Sequence, residues 1–196
     1  MLHGDKYFED GGFSYQIYGG MTQEPEVFDP ESINTRIDPA WAMGGKLVAH
    51  VPSRHFFDTF DIGYHRLEQD FHYRHEHLDG AELRIEKDRI RFMGEFAHML
   101  AKPNDGSARF FRQGFYLQPS YRIARQLYAV ASYDRLNRDS RLADESGLAR
   151  QSLGLTYRPW PSISLKIEAD RYEPQRNVLP AYYGVTVGVV YFFHLP

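Results

Sequence analysis

Residues 162–170 read SISLKIEAD. Ile163, Leu165, Ile167 and Ala169 alternate strictly with Ser162, Ser164, Lys166, Glu168 and Asp170. Successive side chains of a strand point to opposite faces, so this stretch reads as a strand with one apolar and one polar face. A helix would scatter the four apolar residues around its circumference. The same period runs through the neighbouring sequence. SLGLTYR sets Leu153, Leu155 and Tyr157 against Ser152, Gly154, Thr156 and Arg158, and YGVTVGVVYFF groups Tyr183, Val185, Val187, Val189, Tyr191 and Phe193 opposite Gly184, Thr186 and Gly188.

Further toward the N-terminus, FYLQPSYRI, LYAVASYD, IRFMGEF and ELRIE continue the alternation. They place Arg122, Asp134, Arg91 with Glu95, and Arg84 with Glu82 and Glu86 on their polar faces. DTFDIGYH, MGGKLVAHV and FSYQIY are weaker examples, with Phe60, Ile62 and Tyr64, then Met43, Leu47 and Val51, then Phe13, Tyr15 and Ile17 on the apolar side. Together these make ten strands. No amphipathic helix competes, and Pro30 and Gly147 interrupt 26–34 and 139–149, the two segments with room for a helical turn.

The connections alternate in length. Residues 21–40, 67–80, 101–113, 136–149 and 173–181 are long. PSRHFF at 52–57, Glu86–Arg89, Ala124–Gln126 and the RPWPS turn around Pro159 and Pro161 are short. Short turns on one rim and long loops on the other describe an up-and-down transmembrane barrel, and an even strand count leaves both termini on the short-turn side.

Which face meets solvent decides the class. Lys46, Arg84, Arg91, Glu95, Arg122, Arg158, Lys166, Glu168 and Asp170 lie within the strands, and burying such charges in a dry core requires a partner for each. In a membrane barrel they line a polar lumen while the aliphatic row meets lipid. A soluble antiparallel sheet with its polar face in water is the alternative. Against it, ten half-apolar strands need a covering layer that the chain does not supply. Tyr157, Trp160, Tyr183, Tyr191 and Phe193 also sit near strand ends, as in an interfacial girdle.

Composition agrees. The chain has 196 residues, 23 basic and 26 acidic side chains for a net charge of −3, 14 Tyr, 14 Phe and no cysteine. That balance gives no argument for nucleic acid. The absence of cysteine removes disulfides, thiol nucleophiles and Cys-based metal sites, and suits passage through an oxidising periplasm. A mean hydropathy of −0.54 averages two opposed faces, and no stretch approaches the roughly 20 apolar residues of a spanning helix. The sequence thus predicts an all-β, antiparallel, up-and-down transmembrane β-barrel of about ten strands. Residues 1–12 form an N-terminal segment on the periplasmic side, 13–193 the barrel and 194–196 a tail.

YYGVTVGVVYFF resembles the closing strand of Gram-negative outer-membrane porins, with alternating aliphatics ending in a Phe pair. SLGLTYRPWPSISLKIEADRYE looks like a porin hairpin. AELRIEKDRIRFMGEFAH and YRIARQLYAVASYDRLN are similar to hairpins of phosphate-selective-type porins. The resemblance covers most of residues 79–193 and rests on strand style. It implies an outer-membrane channel for passive diffusion of small hydrophilic solutes, anionic ones among them, with no enzyme activity and no cofactor. Its partners would be outer-membrane lipid and lipopolysaccharide, and association of like chains is compatible with it.

Length complicates that expectation. The interior of an 8–10-stranded barrel is nearly filled by its own side chains, whereas solute-conducting porins use about 16–18 strands. Ten strands are either the C-terminal part of a larger porin, which the strand style favours, or a complete small barrel. Pairing of the first strand, near Phe13–Tyr18, with the last would mark closure, and two free edges would mark a portion. MLHGDKYFEDGG has no apolar h-region, so the chain reads as a mature form or a truncated reading frame.

Candidate functional groups beyond the lumen are sparse. Inward cations (Lys46, Arg84, Arg91, Arg122, Arg158, Lys166) are balanced by Asp61, Glu82, Glu86, Glu95, Asp134, Glu168 and Asp170. They form either a ladder of paired charges or an Arg/Lys track for anions. The segment 21–40 is acidic, with Glu24, Glu26, Asp29, Glu31 and Asp38. His72, His75 and His77 are weak metal candidates, because His-x-His on a strand faces one side. Asp70 and His72 could imitate the rim Asp and His of omptin-like outer-membrane proteases. A conduit barrel sheathing a partner protein is the third class.

Overall fold

The computed structural model describes residues 1–9, 11–23, 39–52, 56–71, 74–138, 147–160, 162–174 and 180–191. Eleven strands form one sheet in sequential order, every neighbouring pair antiparallel. They are β1 (Leu2–Phe8), β2 (Gly11–Gln23), β3 (Pro39–His50), β4 (Thr59–Asp70), β5 (Arg74–Lys87), β6 (Ile90–Pro103), β7 (Phe110–Ala124), β8 (Leu127–Arg138), β9 (Leu148–Trp160), β10 (Ile163–Pro174) and β11 (Tyr182–Tyr191). No helix occurs among the described residues. The fold is an all-β, antiparallel, up-and-down sheet. β1 and β11 are its edges and are not paired with each other among the described residues.

Three expectations change. The count is eleven, because Leu2–Phe8 pairs with β2 along its whole length, from Leu2 opposite Ile17 to Phe8 opposite Gly11. That strand mixes Leu2, Gly4, Lys6 and Phe8 on one side with His3, Asp5 and Tyr7 on the other, so no alternation announces it. With an odd count β1 starts on the long-loop rim and β11 ends on the short-turn rim. The termini therefore do not share a side. Lastly, most of 67–80 is strand. β4 runs to Asp70 and β5 resumes at Arg74, with His75 opposite Asp70 and His77 opposite Glu68. The acidic residues at 24, 26, 29, 31 and 38 and the end of the chain from 192 lie outside the described residues.

The short rim is built by tight turns. Asp88 and Arg89 alone join β5 to β6, and Arg125 and Gln126 alone join β7 to β8. Asp88 has φ 52°, a left-handed conformation that Asp tolerates better than most residues. Its amide donates to Asp58 Oδ2 at 2.6 Å, and its carbonyl accepts from Arg122 Nη2 at 3.2 Å. A register shift between Ile163 and Leu165 sets Trp160 opposite Ile163, so Trp160 joins the apolar row although its number has the other parity.

Burial is inverted relative to a water-soluble domain. Among the described residues, the buried apolar side chains are Ala42, Phe71, Ala101 and Val130 only. The buried polar ones are Glu76, Ser132, Ser152, Thr156, Glu168 and Asp170. Meanwhile Val185, Val187 and Val189 are 73%, 73% and 71% exposed, and Leu153 is 68% exposed.

Candidate functional site

The register gathers the charged positions onto one face. Gln16 on β2 opposes Lys46 on β3, which opposes His65 on β4. On β5 and β6, Glu82 opposes Glu95, Arg84 opposes Met93 and Glu86 opposes Arg91. Glu95 then faces Tyr116, Tyr116 faces Asp134, and Asp134 faces Arg150. Lys166, Glu168 and Asp170 oppose Thr156, Gly154 and Ser152. Arg122 and Arg158 occupy the same phase of β7 and β9. All nine residues read from the sequence as lumen candidates therefore share one face, as do Asp61, Glu82, Glu86 and Asp134.

That face is concave. A cavity of about 420 Å³ is lined from β2 through β7, with Ser14, Lys46, Asp61, Glu82, Glu95 and Tyr116 each contributed by a different strand. A second, of about 240 Å³, joins Arg91 on β6 to Arg158, Lys166 and Val190 on β9, β10 and β11. A flat sheet would not bring side chains from six strands around one volume.

Ion pairs and hydrogen bonds hold most of the charges. Lys46 Nζ meets Glu82 Oε2 at 2.7 Å. Glu86 Oε1 accepts from Arg84 Nη2 and Arg91 Nε, both at 2.6 Å. Arg150 donates to Asp134 at 3.0 Å, and Lys166 Nζ reaches Glu168 at 2.8 Å. Asp170, 2% exposed, accepts from Ser152 Oγ at 2.5 Å and Thr186 Oγ1 at 2.7 Å. Two cations differ. Arg122 donates to the Asp88 carbonyl, and Arg158 lies 5.2 Å over the Tyr128 ring. Among the described residues no carboxylate pairs with either.

The opposite face has its own order. On β4 it runs Phe60, Ile62 and Tyr64 and then turns polar at Arg66 and Glu68. Arg66 meets Glu68 at 2.9 Å and Asp79 at 3.7 Å, and the Tyr64 hydroxyl donates to Asp79. β8 ends its apolar row at Arg135 and β10 at Arg171. The sequence reading did not separate this charged fringe from the loops.

His75 and His77 lie on that outward face of β5. His75 Nδ1 is 3.8 Å from Asp70 Oδ1, and Asp70 Oδ2 accepts from Trp41 Nε1 at 3.2 Å. No group of three or more His, Asp or Glu that could hold a metal occurs among the described residues, and His72 lies outside them. Asp70 points away from the cavity, where a rim protease would need it.

One cluster escaped the sequence reading. Ser14 Oγ lies 3.2 Å from His50 Nε2, and His50 Nδ1 lies 2.8 Å from Asp61 Oδ1. The three residues come from β2, β3 and β4 and line the larger cavity.

No protein-family model and no curated protein matches the chain. Among solved structures, one described as a KdgM porin is similar over 98% of this chain and 96% of its own, with 11% sequence identity and a TM-score of 0.43.

Proposed function

We propose that the chain is an outer-membrane β-barrel of a Gram-negative bacterium and that it passes small hydrophilic solutes through its polar interior, favouring anions. The observation that carries this reading is the inverted burial. In water, three adjacent valines more than 70% exposed would forfeit roughly 25 cal/mol for each Å² left wet. In lipid the same surface is the favourable one. β11 presents Tyr183, Val185, Val187, Val189 and Tyr191 outward. Eight residue steps at about 3.4 Å, tilted about 40°, give about 21 Å between the two tyrosines, close to the ~25 Å apolar band of a transmembrane barrel. The aromatic residues sit where headgroups would lie.

The ion pairs support the wall-ladder reading for Lys46, Arg84, Arg91 and Lys166, whose charges are neutralised nearby. Anion preference rests instead on Arg122 and Arg158. Both lie at the short-turn rim with no carboxylate partner among the described residues, so their field extends into the pore mouth.

Planar-bilayer recordings under a salt gradient test both levels. The expected result is conductance with a reversal potential shifted toward the anion, which moves toward zero in the Arg122→Ala, Arg158→Ala double variant. An unchanged reversal potential would remove the anion assignment. Absence of any conductance from protein folded in lipid would remove the channel.

A further inference from the structure

We propose that Ser14, His50 and Asp61 form a nucleophilic site that hydrolyses small carboxylic esters admitted to the polar cavity. The inference rests on the geometry of these three residues and does not depend on the channel reading.

The hydrogen bonds have a direction. An ionised carboxylate only accepts, so Asp61 takes its bond from His50 Nδ1–H at 2.8 Å. In the neutral form of the ring that bond puts the proton on Nδ1 and leaves the Nε2 lone pair facing the Ser14 hydroxyl at 3.2 Å. A serine hydroxyl against an imidazole whose far nitrogen is held by a carboxylate is the arrangement that activates a serine nucleophile. The hydroxyls around Asp170 differ. Ser152 and Thr186 donate straight to the Asp170 carboxylate, with no base between that could take and return a proton.

The surroundings hold the imidazole in place. The Tyr7 ring stacks on it at 5.5 Å and 29°. Gly11, at φ 137°, lets β2 approach β3 here, since a Cβ at that position would lie 2.5 Å from the His50 carbonyl oxygen. The His50 and Asp61 side chains are 26% and 16% exposed, so the base is partly withdrawn from water while the cavity stays open to it. β2 is paired on both sides at Ser14, which commits its backbone amides to the sheet. Donors for an oxyanion must therefore be side chains. Gln16 and Lys46, opposite each other and two residues along from Ser14 and Val48, line the same cavity.

The reaction balances without a co-reactant other than water. Ser14 Oγ bonds to the ester carbonyl carbon as its proton passes to His50 Nε2, and the carbonyl π pair moves onto oxygen. Collapse re-forms the carbonyl and breaks the carbon–alkoxy bond, while His50 returns the proton to the departing oxygen. An alcohol leaves and an acyl-serine remains. Water repeats the cycle, releasing the acid and restoring Ser14.

The test uses the full chain folded in detergent, with folding checked for each variant by heat-dependent gel mobility. A fluorescent fluorophosphonate is the covalent probe and p-nitrophenyl butyrate the substrate. The expected result is a phosphonyl adduct on the Ser14 peptide, absent in Ser14→Ala and in heat-unfolded protein. Asp61→Asn and His50→Gln should slow labelling and hydrolysis about 100-fold or more. Ser132→Ala, on the same face outside the cluster, should behave as the parent. No labelling above the Ser14→Ala background, or labelling that Asp61→Asn leaves unchanged, would overturn the proposal.

Discussion

Placing arginine along the outward row of β9 separates a membrane wall from a wet surface. Leu155 lies at mid-height of the apolar band, opposite Ala129 on β8 and Ile167 on β10, which in turn faces Val187 between the two tyrosines of β11. An arginine on the lipid face at the bilayer midplane costs about 2–4 kcal/mol, or about 30- to 700-fold in the folding equilibrium. Gln151 stands four residues farther along the same row. At about 3.4 Å per residue and a tilt of about 40°, that is roughly 10 Å nearer the interface, where the cost falls to about 0–1 kcal/mol. Leu155→Arg, Leu153→Arg and Gln151→Arg should therefore be destabilising in that order when the protein is titrated with urea in phosphatidylcholine vesicles. Folding is followed by the fluorescence of Trp41 and Trp160 and by gel mobility. On a surface facing water all three would fall within about 0.5 kcal/mol of the parent. A flat series, or one that rises toward Gln151, would refute the membrane reading.

Two local predictions follow from the polar face and its turns. Asp170→Ala leaves the buried Ser152 hydroxyl and the exposed Thr186 hydroxyl without their acceptor, and should lower stability in the same titration by about 1–3 kcal/mol, chiefly through Ser152. At the β5–β6 turn, Asp88→Val forces a β-branched residue to φ 52° and should cost at least about 1–2 kcal/mol, while Asp88→Gly should stay close to the parent.

Strand faces were legible from sequence wherever a strand crosses the apolar band, because there one phase must be apolar and the other polar. SISLKIEAD is such a stretch, and the register confirms its neighbours pair by pair. The signal fades where that condition fails. Above Tyr64, the outward row of β4 is Arg66 and Glu68 and that of β5 includes His75, His77 and Asp79. The outward phase is polar there and the inward one mixes Leu67 and Leu78 with His65, Gln69 and Glu76, so neither phase is uniformly apolar and strand looks like loop. β1 is invisible for another reason: backbone pairing to β2 makes it a strand, and its side chains carry no alternation. The charged face was recoverable as a set, since each member sits in the polar phase of its own strand. Its pairings were not, because Lys46 with Glu82 or Ser14 with His50 joins residues 36 apart through register alone. No spacing motif marks Ser14, His50 and Asp61. Two separate strand registers, β2 with β3 and β3 with β4, must hold before they meet.

The odd strand count sharpens the question of closure. In a sequential antiparallel sheet of eleven strands, β1 and β11 run in the same direction. A bilayer interior offers no partner for unpaired N–H and C=O groups, so both edges must be satisfied in lipid. Direct closure would make the seam the one parallel pair in a wall of ten antiparallel ones. Two copies inserted in the same orientation would also meet through parallel seams, at an added cost in association entropy that closure within one chain avoids. The prediction is therefore a parallel seam within one chain. The absence of native cysteine makes the test clean. Cysteine at Asp5, on the polar phase of β1, is combined in turn with cysteine at Gly184, Thr186 or Gly188 of β11 and oxidised in vesicles. At least one combination should cross-link within the monomer, and none should do so in urea. Cross-linked dimers would place the seam between copies. Failure of every combination in folded protein would show that another strand, running opposite to both, lies between β1 and β11.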